Sequence, residues 1–309
     1  MKKSILVLLA LAAMASCKSK KVVPEPLPKI KALQGSSLLG LPLVSPDLDK
    51  VEDSTKILNY RQAEARYEKD PSADNLIWLG RRMGYLGDYA KAITLFSKGV
   101  AEFPDDARFY RHRGHRYITL RQYDYALADF DKGITLIQGT DDVIEPDGIP
   151  NDANIPVSSL HTNLYYHKGV AHYLKNEMQA AEKAFSHGLA ISTNDDMRVA
   201  YINWLYLIKK RLDKNEAAKE ILFSINTDQE IIENTAYHKN LLFFKGVLTQ
   251  KQLNPEKANA ATKYAYANAL YFQGDITKSK AALKQIVAQD HWTAFAYMAA
   301  EADLSRMLD

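Results

Sequence analysis

The sequence predicts an all-α protein, a solenoid of about five to six helical hairpins with a capping helix at each end. Two observations predict it. Gly80, Ala92, Phe96 and Gly99 recur 34 residues later as Gly114, Ala126, Phe130 and Gly133, and after a 21-residue insertion as Gly169, Ala181, Phe185 and Gly188. Between these landmarks the apolar residues keep helical spacing, with no alternating strand pattern. A fixed period of this length marks hairpins that are each too small to bury their own apolar face, and that stack to share one core.

Taken in order, 54–69 reads as a leading helix ending before Asp70-Pro71. In 73–106, Leu76, Leu79, Gly80 and Met83 form the inward stripe of a first helix, and Pro104 ends the second. The glycines and alanines lie where the two helices pass closely, and each phenylalanine four residues past an alanine shares its face and fills the groove. Copies follow at 107–140 and 162–195. Weaker ones occupy 198–226, where Leu205 replaces the glycine, and 260–288, with a shortened hairpin at 230–256 between them. A last helix spans 292–307, where Glu301, Asp303 and Arg306 are expected to give the stack a wet outer face. In this register Arg113 and Lys168 fall where the first copy puts core Leu79. A long cation there must snorkel outward or find a buried acid, and Asp129 is the partner expected for Arg113.

The order of an apolar residue, glycine, a small residue, an aromatic, a small residue and proline in 73–106 resembles the tetratricopeptide repeat family, and 107–140 departs from it only in lacking the proline. The resemblance extends over essentially the whole chain after the N-terminal segment and is strongest to uncharacterised bacterial lipoproteins. It implies a protein-binding solenoid whose first helices line a concave surface, and it brings no catalytic activity with it.

The N-terminus carries a second signal. Lys2 and Lys3 precede the apolar run Ile5–Ala13, which Met14-Ala15-Ser16-Cys17 closes. The run is too short for a membrane-spanning helix and reads as a signal peptide at 1–16. A small residue before a cysteine resembles the bacterial lipobox, which implies cleavage before Cys17 and its lipidation. Cys17 is the only cysteine, so no internal disulfide is possible and lipidation accounts for the thiol. Residues 17–53 then read as a lipidated tether and N-terminal extension, stiffened by Pro24, Pro26 and Pro28. No acidic residue follows Cys17 directly, which favours the periplasmic face of the outer membrane. The stretch Leu38–Val44 is too apolar for a free linker and is expected to pack along the first hairpin. The solenoid then covers 54–309.

Loss of the signal peptide, with Lys2 and Lys3 and no acid, lowers the formal charge from +3 to +1. Such a balance argues against a general nucleic-acid binder. Charge is instead segregated locally. Arg108 to Arg121 holds five arginines and two histidines with no acid, while the stretch between Gly133 and His167 has no Lys or Arg and carries Asp141, Asp142, Glu145, Asp147 and Asp152. The acidic residues lie in the loop insertion 138–160, rich in Gly, Pro, Asn and Asp. It joins the second helix of one copy to the first helix of the next, so it emerges near Arg108 and Arg111. Acidic loop and basic helix are expected to pair, docking the loop over the groove as a displaceable lid.

The concave stripe implied by the family resemblance maps onto Asp74, Ile77 and Arg81, then Arg108, Arg111 and His115, then Asn163, Tyr166 and Tyr173, and last Tyr264, Asn268 and Tyr271. Arginines beside tyrosines suit a peptide carrying carboxylates and apolar side chains, because the guanidinium fork engages a carboxylate through two donors. The expected partner-binding residues are Arg81, Arg108, Arg111, His115, Tyr166, His167 and Tyr173. Two functions follow. One is a membrane-anchored adaptor in the bacterial envelope, recruiting a protein or peptide partner with an acidic segment. The other is a periplasmic small-ligand receptor, with 138–160 closing over Arg81, Arg111, His115 and His167.

No catalytic arrangement emerges, and no cofactor or metal is expected. His112 and His115 share a helix face without a third ligand. Asp147 to Asp152 lacks the spacing and closing glutamate of a calcium loop. The expectation is a non-enzymatic protein.

Overall fold

The computed structural model describes residues 33–45, 54–146, 155–289 and 291–308. The expected signal peptide, Cys17, most of the expected tether, and Asp147 and Asp152 lie outside these residues. Fourteen helices occur among them; from α1 to α9 each packs on the next, and beyond that α10 packs on α8 and α12. Helix α1 (Ser54–Lys69) leads. The hairpins are α2 (Ala73–Tyr85) with α3 (Tyr89–Glu102), α4 (Ala107–Thr119) with α5 (Tyr123–Leu136), and α6 (Leu160–Leu174) with α7 (Met178–Ile191). Then come α8 (Asp195–Arg211) with the short α9 (Asn215–Glu220), α10 (Thr235–Phe244) with the four-residue α11 (Gln250–Leu253), and α12 (Ala260–Phe272) with α13 (Ile276–Val287). Helix α14 (Phe295–Leu308) ends the chain.

Helix starts follow from side chains that satisfy the otherwise unpaired first-turn amides. Asp88 accepts from the Lys91 amide at α3, Asn194 from Met197 at α8, and Asn259 from Thr262 at α12. Ser159 and Thr162 form a reciprocal capping box at α6.

The two glycine series perform different tasks. A Cβ on Gly80, Gly114 or Gly169 would meet the ring of Phe96, Phe130 or Phe185 at 2.5, 2.6 and 2.8 Å, so these glycines seat the phenylalanine of their own hairpin. A Cβ on Gly99, Gly133 or Gly188 would meet Phe109, Leu164 or Tyr201 of the next first helix at 2.0, 2.7 and 2.2 Å. One glycine closes each hairpin and the other joins it to its successor, which explains why both are held in register.

Arg113 lies in the expected core register. It donates through Nε and Nη2 to the two oxygens of Asp129 at 2.8 and 2.7 Å, and through Nη1 to Ser97 at 3.1 Å. Lys168 takes the other route, reaching out to the exposed Asp131.

Two expectations need correction. First, strands are present: β1 (Leu33–Ser36) and β2 (Pro42–Val44) form an antiparallel hairpin. Leu43 is buried, Ser45 Oγ donates to the Gly87 carbonyl at 2.9 Å, and Gln34 Oε1 accepts from the Ala90 amide. The segment thus packs on the first hairpin, but it also reaches the far end of the chain. The Leu38 amide donates to Glu301 at 2.6 Å, and Trp292 Nε1 donates to the Val44 carbonyl at 3.0 Å. Second, α14 presents no wet face through Glu301 and Asp303, both of which are buried. The helix packs on α6, α12 and α13. Glu301 pairs with Arg121 from the α4–α5 turn, and Asp303 with Arg211 at the end of α8. Helical periodicity locates these acids on one side of the helix but does not say whether solvent or another part of the solenoid faces that side.

Candidate functional site

Helix α14 lies across the face formed by the first helices. Phe295 at its start packs against His115 of α4 and both Tyr166 and His167 of α6, with ring centroids 5.4, 6.2 and 5.6 Å apart. Arg306 near its end donates to the Leu174 carbonyl at 3.2 Å. Tyr173 and Tyr264 share a hydrogen bond of 2.7 Å, and Tyr264 donates to Asp303 at 2.7 Å. The stripe residues Tyr166, Tyr173, Tyr264 and Asn268 are buried on this side, Ile77 is buried in the first hairpins' own core, and Asn163 is buried against Glu145. At the margins Asp74, Arg108 and Tyr271 keep solvent access.

The expected partner-binding residues consequently divide. Tyr173 is sealed in the α14 interface. Tyr166 accepts a hydrogen bond from Trp204 Nε1 at 2.8 Å and belongs to the core. Arg108 pairs at 2.6 Å with both Asp74 and Asp106, not with the acidic insertion. Arg81, Arg111, His115 and His167 do come together at the N-terminal end of the first-helix face, but they are covered rather than open. The cover over these stripe residues comes from residues remote in sequence.

This covered end is built from arginine and histidine. Arg81 stacks on Trp78, 4.5 Å from the ring centre, and donates to Tyr85 Oη at 3.3 Å. Arg111 Nη1 donates to His112 Nδ1, and Arg116 Nη2 to His115 Nδ1, each at 2.9 Å. Arginine only donates, so both histidines accept at Nδ1. His167 Nδ1 instead donates to the Asn163 carbonyl at 2.6 Å. Burial, reinforced by the neighbouring guanidiniums, holds His112, His115 and His167 well below the usual imidazole range. All three are neutral at pH 7, and the positive charge is carried by the arginines.

Glu145 supplies the carboxylate. Its segment runs antiparallel to the residues before α6, with the Glu145 amide donating to the Ser158 carbonyl and the Leu160 amide to the Val143 carbonyl, both at 2.9 Å. Asp142 anchors the same turn, accepting from Ser159 Oγ and from the His161 amide. This places Glu145 Oε2 2.6 Å from Arg111 Nη2 and 2.6 Å from Asn163 Nδ2. The side chains of Arg111 and Glu145 are 11% and 10% exposed. Burial pushes the Glu145 carboxyl above its usual range, with Arg111 and Arg81 opposing that shift. The loop and the basic helix therefore do meet, through Arg111 and Glu145. Arg116, one turn past His112 on α4, and Asn163 complete the setting. Arg116 escaped the sequence reading because it lies off the concave stripe.

A second concavity of about 670 Å³ opens between the ends of α6, α8 and α12, lined by Asn176, Met178, Lys210, Tyr271 and Phe272. Among the described residues no group of three or more His, Cys, Asp or Glu could hold a metal ion, and no helix is long and apolar enough to cross a membrane.

No protein-family model matches the sequence. The chain is 31% identical over 142 residues to tetratricopeptide repeat protein 12 of Mus musculus, a match covering 45% of this chain and 17% of that protein. It thus spans less than a fifth of that relative's length. Two solved structures are similar over most of the chain. A tetratricopeptide repeat protein from Parabacteroides merdae has 13% identity and a TM-score of 0.49, covering 83% of this chain and 94% of that one. The APC/C hetero-tetramer Cut9-Hcn1 has 13% identity and a TM-score of 0.47, covering 82% of this chain and 46% of that one. The 34-residue period and the glycine-seated hairpins make this chain an α-solenoid of stacked helical hairpins, similar over 142 residues to tetratricopeptide repeat protein 12.

Proposed function

We propose that the protein is a non-enzymatic adaptor, anchored by lipid at Cys17 to the periplasmic face of the bacterial outer membrane, that binds a protein or peptide partner with an acidic segment. The observation that carries the partner-binding half is the arginine-rich end of the first-helix face, where Arg111 already holds one carboxylate. The anchoring half rests on the apolar run ending at Cys17 and on Cys17 being the only cysteine. Arg108 and Asp74 remain solvent-accessible at that end of the face.

The test is in-cell crosslinking from a photo-reactive residue at Arg108, with fractionation of the wild type beside Cys17→Ser. Recovery of one envelope protein, together with release of the Cys17→Ser variant from the membrane fraction, is the expected outcome. A variant that stays in the membrane fraction removes the anchor, and a wild type that crosslinks to nothing removes the adaptor. The receptor reading draws on one observation, the meeting of Arg81, Arg111, His115 and His167 beneath the 142–146 segment. Retention of a small acidic ligand through purification would favour it.

A further inference from the structure

The ion pair between Arg111 and Glu145 is incompletely made. Arg111 presents its Nη2 to Glu145 Oε2, but Arg111 Nε and Glu145 Oε1 are both buried without a hydrogen-bond partner. A guanidinium edge and a carboxylate placed side by side form two parallel bonds. Here the pair meets only through the 2.6 Å contact of Nη2 with Oε2, and the unused donor and acceptor belong to the same pair. Each such atom is withheld from water with no bond to compensate it.

The geometry of the backbone accounts for the mismatch. Glu145 is fixed by the short ladder between 143–145 and 158–160, which sets where its carboxylate arrives. The remainder of the segment adds little burial, since Val143 and Ile144 are 62% and 51% exposed. Its hold on Arg111 and α6 is therefore polar: the Glu145 carboxylate, two backbone hydrogen bonds, and the bonds Asp142 accepts from Ser159 Oγ and the His161 amide. Arg81 acts on Glu145 alongside Arg111, and Arg116 stands against Tyr89 and His115 with no carboxylate paired to it among the described residues.

We propose that Arg111 and Asn163 form a recognition site for a glutamate side chain in an extended peptide, and that residues 141–146 of the chain occupy it as an internal competitor. This rests on the adaptor reading and specifies both the chemistry of the partner and the regulation of its site. An incoming peptide carboxylate is free of the 158–160 ladder and can turn to meet Nε and Nη2 together. It would displace Glu145, release the segment and gain the bond that the internal residue leaves unmade. Internal occupancy lowers apparent affinity by the fraction of molecules that are open, which keeps the site closed to weak acidic ligands.

The test uses the full chain and the protein's own segment as probe. A fluorescent, end-blocked peptide of sequence Asp-Asp-Val-Ile-Glu-Pro is titrated into the wild type and into Glu145→Gln, with a Gln-for-Glu peptide as control. The expected result is binding to Glu145→Gln at least about ten-fold tighter than to the wild type, with no binding of the control. Adding Arg111→Lys to Glu145→Gln keeps the charge but removes the fork, and is expected to abolish the gain. If Glu145→Gln does not fold, the wild type decides. Excess peptide is expected to speed hydrogen exchange at the Glu145 and Leu160 amides, and unchanged exchange overturns the proposal. Equal binding to both proteins, binding to neither, or binding of the control peptide overturns it as well. The adaptor reading would stand through any of these results if the Arg108 crosslink still recovers an envelope partner.

Discussion

Arg121 and Glu301 are 180 positions apart in sequence, yet their side chains meet at 2.7 Å with almost no access to solvent. Arg121 occupies the left-handed turn position that is Gly87 in the preceding hairpin and Gly274 in α12–α13, with φ of 62°. A side chain there is strained. Its guanidinium also donates to the Thr119 and Trp292 carbonyls, and Glu301 accepts from the Leu38 amide. One charged pair thus ties the β-hairpin, the α4–α5 turn and α14 together. Arg121→Gly is expected to destabilise the protein by roughly 3–5 kcal/mol although it relaxes the turn, because Glu301 is left buried and uncompensated. Urea denaturation checks this, and a gain in stability would mean that backbone strain outweighs the pair.

The Arg113–Asp129 pair sits in the position that leucine fills in the first hairpin. Asp129→Ala is expected to cost about 3 kcal/mol by stranding the guanidinium, whereas Arg113→Leu with Asp129→Ala is expected to recover most of that loss. Comparing the two midpoints in urea decides it. Equal losses would show that Arg113 packs chiefly through its stem.

Gly99→Ala places a methyl 2.0 Å from the Phe109 ring, which is fully buried. The cost of such overpacking is typically about 1–3 kcal/mol. Phe109→Leu in the same chain is expected to offset part of it, giving a double-mutant loss smaller than the sum of the single losses. Additive losses would indicate that the first two hairpins move apart instead.

Acidification is expected to weaken the fold. His112, His115 and His167 are neutral when buried and titrate in the unfolded chain near about 6.5, so unfolding takes up protons below that value. Each contributes a loss of up to roughly 1.4 kcal/mol per pH unit, beginning as pH falls through the unfolded value. Glu145 and Asp129, whose carboxyls burial raises, work in the opposite sense from nearer the carboxylate range. Stability should therefore be level above about pH 7 and fall between about 6.5 and 5.5. Equilibrium unfolding across that interval measures it, and a flat profile would mean that the histidines hydrate and protonate in place.

The repeat unit is written into local sequence. Gly80 and Phe96, or Gly99 and Phe109, are near enough along the chain for a fixed period to record their contact. The same reasoning reached the Arg113–Asp129 pair, because both residues belong to one hairpin and one helical register. It also brought the acidic insertion to Arg111, since chain order alone dictates at which end of the stack that loop emerges.

What covers the first-helix face is set by the folded stack as a whole. Glu301 against Arg121, Asp303 against Arg211 and Phe295 against His167 join residues whose separation is set by the accumulated curvature of all the hairpins between them. No local pattern encodes that sum. An acid on the last helix reads the same whether it faces water or a guanidinium carried round from the second hairpin, so stripe residues expected to line an open groove are instead the walls of a closed one.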